Sequence, residues 1–187
     1  MSSLVLTGDT SGQVTISAPA VAGTNTLTLP ALTGTVLTNK TAGTVLQVVS
    51  TTKTNAFSTT STSFVDLTGL SVSITPTSAT NNVMVFATFS MSTSLTTAAA
   101  VFNLVRNSTN ISQPSTTPSY YGTSWVYPAL ADAVMPGSLI FLDSPATTSA
   151  TTYKIQCRIS GSTLYVNSRA AGDAAFTSTI TVIEIAA

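Results

Sequence analysis

From residue 45 to the C-terminus, apolar and polar positions alternate with a period close to two. Leu70, Val72 and Ile74, for example, occupy every second position of one such segment. This alternation is typical of β-strands that turn one face toward a core. The strands that the pattern predicts are Val45–Val49, Phe64–Ile74, Val83–Phe89, Tyr120–Tyr127, Ser138–Leu142, Tyr153–Ile159, Leu164–Val166 and Thr179–Ile185.

Three segments carry a more particular pattern. Val83–Phe89 is so densely apolar that it predicts a strand buried on both faces. Ala98–Val105 fits either a strand or a short helix, because alanine favours helices. Thr179–Ile185 has apolar residues on both faces, so it is either central in a sheet or packed on a neighbouring subunit, and we favour the second.

Turn-forming residues separate the predicted strands, at Thr80–Asn82, Asn107–Asn110, Pro136–Gly137 and Ser160–Gly161. Many short strands at this spacing predict an all-β fold, an antiparallel β-sandwich of jelly-roll-like type. We assign residues 46–187 to this domain.

The first 45 residues differ from the rest. Short alternating pieces, Val14–Ile16, Leu27–Leu29 and Thr35–Leu37, are separated by glycine and proline, and each is too short to bury much alone. We predict that residues 1–45 form an extended N-terminal arm that anchors the chain on a partner; a flexible tail is the alternative. The residues predicted to make the anchoring contacts are Val14, Ile16, Leu27, Leu29, Val36 and Leu37.

The composition agrees with strands and points to assembly. Ser and Thr together supply 63 of the 187 residues, and β-branched Thr suits a pleated surface. Hydrophobic residues make up 43% and the net charge is zero, which argues against intrinsic disorder. A protein without net charge lacks the repulsion that keeps molecules apart, so we expect a subunit of an assembly.

The same counts exclude several functions. The basic residues are scattered, which argues against binding to nucleic acid. No apolar stretch approaches the roughly 20 residues of a spanning helix, and no secretion signal precedes the first strand, so we expect a cytoplasmically made protein that does not insert into membranes.

Catalysis and metal or cofactor binding are not expected either. The chain has no His and one cysteine, Cys157, which excludes Ser-His-Asp and zinc-type sites. Cys157 lies in an alternating run and is predicted to be a small buried hydrophobe. The acids are scattered, and Asp143, before Ser144 and Pro145, is predicted to form a turn. Paired carboxylates of the glycosidase type are the one catalytic alternative.

One aromatic cluster stands out in the sequence. Flat rings stack on sugars, but Trp and Tyr are also common in subunit interfaces, and we favour the interface. The residues predicted to contact a receptor or a subunit are Tyr120, Tyr121, Trp125 and Tyr127.

Two parts of the chain resemble virion structural proteins of tailed bacteriophages. Residues 8–37, from Gly8-Asp9-Thr10-Ser11-Gly12 to Thr33-Gly34-Thr35-Val36-Leu37, resemble a segment common in head-fibre and tail-fibre chains. Residues 141–154, 164–167 and 178–185 resemble the C-terminal β-domain that accompanies it. The resemblance implies a homotrimer of sandwich heads with N-terminal arms as anchor, and it implies no active-site residues.

These observations lead to one hypothesis and one alternative. The hypothesis is a non-enzymatic capsid decoration protein, a cement trimer or a short head fibre, which binds the major capsid protein or other virion proteins at the virion surface. The alternative is a short tail fibre or tail-tip adhesin that binds a host surface glycan or protein through the aromatic cluster.

Overall fold

The computed structural model describes residues 3–8, 10–17, 21, 23–24, 41–116 and 118–187. The chain divides into two compact units, residues 1–36 and residues 37–187. The described residues form thirteen strands and no helix. The strands are β1 (Ser3–Thr7), β2 (Gln13–Ser17), β3 (Val45–Lys53), β4 (Phe57–Thr59), β5 (Val65–Ile74), β6 (Asn82–Thr93), β7 (Ala100–Arg106), β8 (Thr109–Asn110), β9 (Ser124–Val126), β10 (Met135–Asp143), β11 (Thr151–Ile159), β12 (Leu164–Val166) and β13 (Ser178–Ile185).

In the first unit, β1 and β2 pair as an antiparallel hairpin. The turn is closed by the Gly8 amide, which donates to the Gly12 carbonyl at 3.0 Å. Gly12 has φ +84, a left-handed conformation that glycine adopts at no steric cost. The predicted pieces Leu27–Leu29 and Thr35–Leu37 lie outside the described residues.

The second unit is a sandwich of two antiparallel sheets. The six-stranded sheet has the order β3-β13-β6-β12-β4, and β10 pairs with the opposite edge of β6. The long strand β6 makes this arrangement possible, because β13 and β12 pair with successive parts of it. The five-stranded sheet has the order β5-β11-β7-β8, with β9 also paired to β7. The predicted all-β antiparallel sandwich is therefore confirmed.

The core lies between the two sheets and is built from alternate residues of each strand. Ile155 and Cys157 of β11 and Ile180 of β13 are fully buried. The rings of Phe89 and Phe102 meet across the layer with centroids 4.5 Å apart. The prediction for Cys157 is confirmed, and burial, with a smaller contribution from Asp66, raises the pKa of its thiol to about 12.

The prediction that Val83–Phe89 is buried on both faces is wrong. In β6, Val83 and Val85 are fully buried, but Phe86 is 37% exposed on the other side of the strand. The strand buried on both faces is β7. Of the predicted segment Ala98–Val105, residues 100–105 are strand rather than helix, and Ala98 and Ala99 precede the strand. The outer face of β7 is covered by the loop that follows β8.

An ion pair between the buried Asp143 and the partly exposed Arg106 joins the two sheets. Asp143, at the end of β10, accepts hydrogen bonds from Nη1 of Arg106 at 2.8 and 2.9 Å and from the hydroxyl of Tyr153 at 2.6 Å. Arg106 and Tyr153 belong to the five-stranded sheet. Burial and the Asp143 carboxylate raise the pKa of Tyr153. The prediction that Asp143 forms a turn is wrong, because its carboxylate holds the end of the sandwich together.

The carboxylate of Glu184 is fully buried and bound by uncharged groups. It accepts hydrogen bonds from Gln47 Nε2 at 2.5 Å, from Asn81 Nδ2 at 2.6 Å, and from the amide and hydroxyl of Thr77 at 2.7 and 2.8 Å. Burial alone would raise the pKa of Glu184, but the four hydrogen bonds outweigh it and hold the pKa below its ordinary value. Glu184 thus fastens the loop before β6 to β3 and β13.

This network predicts a specific response to acid. A depressed pKa in the folded state contributes stability that is present above the unfolded value of 4.5 and is lost as the pH falls through the folded pKa. We expect Glu184→Gln to lower the free energy of unfolding at neutral pH by about 2–3 kcal/mol, since four donors then face a single acceptor. Urea unfolding at a series of pH values should also show that the free energy of unfolding falls less steeply with decreasing pH for this variant than for the unmodified chain.

Asp173→Asn is the control, because Asp173 is an exposed carboxylate paired with Arg169. It should change the pH dependence far less. An equally steep acid response in Glu184→Gln would show that other groups cause it.

Candidate functional site

One apolar surface lies on the hairpin of the first unit. Cross-strand partners project to the same side of a ribbon, so the pairs Leu4–Ile16 and Leu6–Val14 share one face. These four residues, here called the hairpin face, are 49 to 62% exposed. The opposite side carries Val5 beside Thr15.

The hairpin face contains two of the predicted anchoring residues, Val14 and Ile16. The other four, Leu27, Leu29, Val36 and Leu37, lie outside the described residues. Sequence reasoning missed Leu4 and Leu6. The alternation at residues 3–7, followed by two glycines at a turn, is the signal that indicates them.

A second surface is formed by three exposed rings beside β9. Trp125 pairs with Val101 of β7 and is 59% exposed. The Tyr120 ring lies 6.5 Å from Trp125 at an interplanar angle of 17°, and the Tyr127 ring lies 6.3 Å away at 67°. Tyr120 and Tyr127 are each 51% exposed. These three side chains, here called the aromatic cluster, present ring faces and hydroxyl groups to solvent.

The structure separates Tyr121 from the other three predicted residues. Its ring packs edge-on against Phe64, with centroids 5.9 Å apart. The Arg158 guanidinium lies 4.9 Å from the Tyr121 ring and 5.1 Å from the Phe64 ring, within range of a cation–π interaction. Arg158 also donates to the Ser119 carbonyl at 2.7 Å. Tyr121 therefore holds the loop on the five-stranded sheet.

Gly122 sets how closely this loop approaches β7. A Cβ at this position would lie 2.4 Å from Cγ1 of Val101 and 2.8 Å from the Phe102 carbonyl oxygen. The next residue, Thr123, donates its amide to that carbonyl at 2.8 Å, and its hydroxyl is hydrogen-bonded to that of Ser112. Sequence reasoning missed Gly122 and Arg158, because neither belongs to a motif.

The acidic side chains of the described residues take part in hydrogen bonds within the fold. Asp66 is bound by Lys154 at 2.7 Å and Gln156 at 2.8 Å. Asp132 accepts from the Ala170 amide at 3.2 Å, while Asp143, Asp173 and Glu184 have the partners given above. Asp9 lies outside the described residues.

Other features bear on ligand binding. In the part of the chain that the structure describes, no three His, Cys, Asp or Glu residues lie together as a metal site would require. A surface depression of about 450 Å³ is lined by Phe57, Tyr165 and Arg169 among others.

No helix within the described ranges has the length and apolar character to cross a membrane.

Several solved structures match this chain, and two of them are weakly similar structures of a virus. No protein-family model and no curated protein sequence matches the chain. A structure of the infectious bursal disease virus Gx strain is 14% identical with a TM-score of 0.40, over 94% of this chain and 43% of that chain. A structure of the Gt strain is 15% identical with a TM-score of 0.36, over 97% and 46%. The chain spans less than half the length of either, and likenesses this weak assign neither family nor function.

The close approach of Gly122 to β7 predicts that adding a single methyl group at this position disturbs the loop. Gly122→Ala should displace the loop from β7 and lower the free energy of unfolding by roughly 1–3 kcal/mol. Trp125 is the only tryptophan of the chain, so its fluorescence should shift as the aromatic cluster is disturbed.

Gly161→Ala is the matched control, since a Cβ there meets nothing within 4 Å. It should leave both fluorescence and stability nearly unchanged. Identical behaviour of the two variants would mean that the loop does not depend on its contact with β7.

Proposed function

We propose that this chain is a non-enzymatic structural subunit of a bacteriophage particle, a homotrimeric capsid decoration protein of the cement or head-fibre type. It binds the shell of the major capsid protein through its N-terminal unit. The observation that carries the proposal is the hairpin face, four apolar side chains on a two-stranded ribbon with about half of their surface exposed to water.

An apolar face of this kind is suited to a partner. A two-stranded ribbon is marginally stable in water by itself, and exposed apolar surface marks sites of interaction. Among the described residues, β1 and β2 pair only with each other, so a partner strand can engage their outer edges by strand addition. Asp9 is the only charged residue of the first 20, so this contact would depend little on salt.

The magnitude of the contact favours repeated copies. Burying the exposed halves of four aliphatic side chains contributes about 3–6 kcal/mol. Association costs roughly 4–15 kcal/mol in lost freedom of motion, so one hairpin alone binds weakly. Three hairpins on one trimer, repeated over a shell, raise the effective affinity without any new contact.

Two further observations support a structural role on a virion. The described carboxylates are engaged in hydrogen bonds that hold the fold, rather than paired across an open cleft. Residues 8–37 and 141–154 resemble segments of phage virion proteins. A particle protein that binds by shape and apolar contact needs no reactive side chain.

The aromatic cluster supports a second candidate, a short tail fibre or tail-tip adhesin. Tyr120, Trp125 and Tyr127 each expose more than half of their surface, and such rings stack on the apolar faces of sugars. In this reading the receptor is a host surface glycan.

The first prediction tests the hairpin face. Leu6→Ser combined with Val14→Ser should weaken co-sedimentation of the full chain with purified capsids at least tenfold, because the change removes half of the apolar face. Val5→Ser, on the opposite side of the same ribbon, should bind like the unmodified chain. Equal binding of all three proteins would disprove anchoring through this face.

The second prediction separates head from tail. Quantitative mass spectrometry of purified particles should find of the order of one to a few copies per major capsid protein, as multivalent coverage of a shell requires. A few copies per hundred would instead place the protein on the tail.

The third prediction tests the adhesin candidate. If the aromatic cluster binds a glycan, a glycan array should show saturable binding that Trp125→Ala abolishes and Tyr165→Ala, on the other sheet, retains. Loss of self-association in Trp125→Ala without any glycan binding would identify the cluster as a subunit contact.

A further inference from the structure

The outer face of the six-stranded sheet carries one row of four apolar side chains and two more apolar side chains in the adjacent row. Strand register places Val48, Ile183, Met84 and Leu142 side by side on β3, β13, β6 and β10. The neighbouring row adds Phe86 and Ile140 on β6 and β10, while its positions on β3 and β13 are the hydroxyl residues Ser50 and Thr181. The outer apolar face consists of these six residues, Val48, Met84, Phe86, Ile140, Leu142 and Ile183. Within the described chain no second layer covers it: Val48 is 58% exposed, Ile140 66% and Leu142 52%.

The distribution of charge on these four strands is the reverse of that on a water-facing sheet. Their three charged residues are Lys53, Asp143 and Glu184, and all three are buried on the inner side. The outer side carries only apolar, hydroxyl and amide groups. An antiparallel sheet with one face in water normally places its polar residues outward.

The other sheet of the same sandwich provides the comparison. Its outer side carries the ion pair of Asp66 with Lys154, together with Gln156 and Arg158. Both sheets share one core and one solvent, so the difference lies in what each outer side faces. In the five-stranded sheet a loop covers β7, and the charged side chains Asp66 of β5 and Lys154 of β11 face water. The six-stranded sheet instead has the composition of an interface core, which is depleted in charge.

The size of the surface agrees with this interpretation. Four strands at about 4.8 Å spacing and three rows at about 6.8 Å cover a flat area of roughly 400 Å². In the third row, Val45 and Ile185 continue the apolar surface at one end beside the polar Asn82. Thr52, Thr179 and Thr88 border the surface at the other end. A standard interface buries about 800 Å² per partner, of which about 450–520 Å² is apolar. The corrugated face, with its polar rim, supplies an area of this order.

We propose that the outer apolar face packs against a second copy of this chain. The partner must offer an equally uncharged surface, since a charged one would lose its hydration here without gaining an ion pair. A chain with 6% charged residues and no net charge carries such a surface on every copy. Two such faces can pack at the usual sheet separation of about 10 Å, and three can meet around an axis.

The free edges of the sheet border the same surface. Among the described strands, β3 pairs only with β13, and β10 only with β6. Exposed edges beside an apolar face favour association between copies of a sheet. This inference deepens the oligomeric part of the proposed function. It does not involve the hairpin face, so the two can fail separately.

The test uses the purified full chain in the absence of capsids. Sedimentation equilibrium should give the mass of a dimer or trimer for the unmodified protein. Ile140→Asp and Leu142→Asp each place a charge in the contact and should raise the dissociation constant at least tenfold. Thr68→Asp, on the outer side of the five-stranded sheet, is the matched control and should retain the unmodified mass.

Thermal unfolding of the same variants shows whether the fold is intact. Both side chains lie outside the core, so the monomeric variants should keep the far-ultraviolet spectrum of the unmodified chain and a cooperative transition. A monomeric unmodified chain would overturn the proposal, as would an unchanged mass in both charged variants. If the unmodified chain is a monomer and Ile140→Asp lowers its thermal stability, another segment of the same chain covers the face. Association that persists without capsid binding would support this interface and count against the hairpin face.

Discussion

The rest of the structure depends on the hydrophobic core that the two sheets share. Each strand contributes alternate residues to this core, so a polar side chain at an inward position must find its partners inside. Asp143 does so with Arg106 and Tyr153, and Glu184 with Gln47, Thr77 and Asn81. The Asp143 network joins the two sheets, and the Glu184 network holds the loop between β5 and β6 against β3 and β13.

The remaining half of each strand faces outward, and there the two sheets differ. On the five-stranded sheet, ion pairs and a docked loop complete the surface, and Gly122 allows the loop to approach β7 closely. On the six-stranded sheet, the outward residues are apolar or carry hydroxyl or amide groups, and none is charged. The outward surfaces that distinguish the two sheets are therefore broad faces. Broad faces suit a protein that acts by assembling with other copies or partners.

The high Ser and Thr content has a structural use in this setting. Hydroxyl groups pair across neighbouring strands, as between Thr88 and Thr179 at 2.9 Å, Ser50 and Thr181 at 2.8 Å, and Ser73 and Thr152 at 2.7 Å. Such pairs stabilise a sheet without charge. A surface of this composition repels its neighbours little, which favours close packing of many copies.

The sequence by itself determined the long strands of the sandwich, the all-β class and the burial of Cys157, because a period of two reports which side chains share a face of a strand. It did not predict the short strands β1, β4 and β8. Only the tertiary structure decided what lies over each face. The dense apolar run of β6 has one face exposed to solvent, while β7 is covered on both faces. Tyr121 packs on Phe64, away from the aromatic residues near it in the sequence. The sequence likewise did not show that Asp143 and Glu184 are buried, because the side chains that bind their carboxylates come from distant segments of the chain. Periodicity is a local property of the chain, whereas covering a face requires residues far apart in sequence.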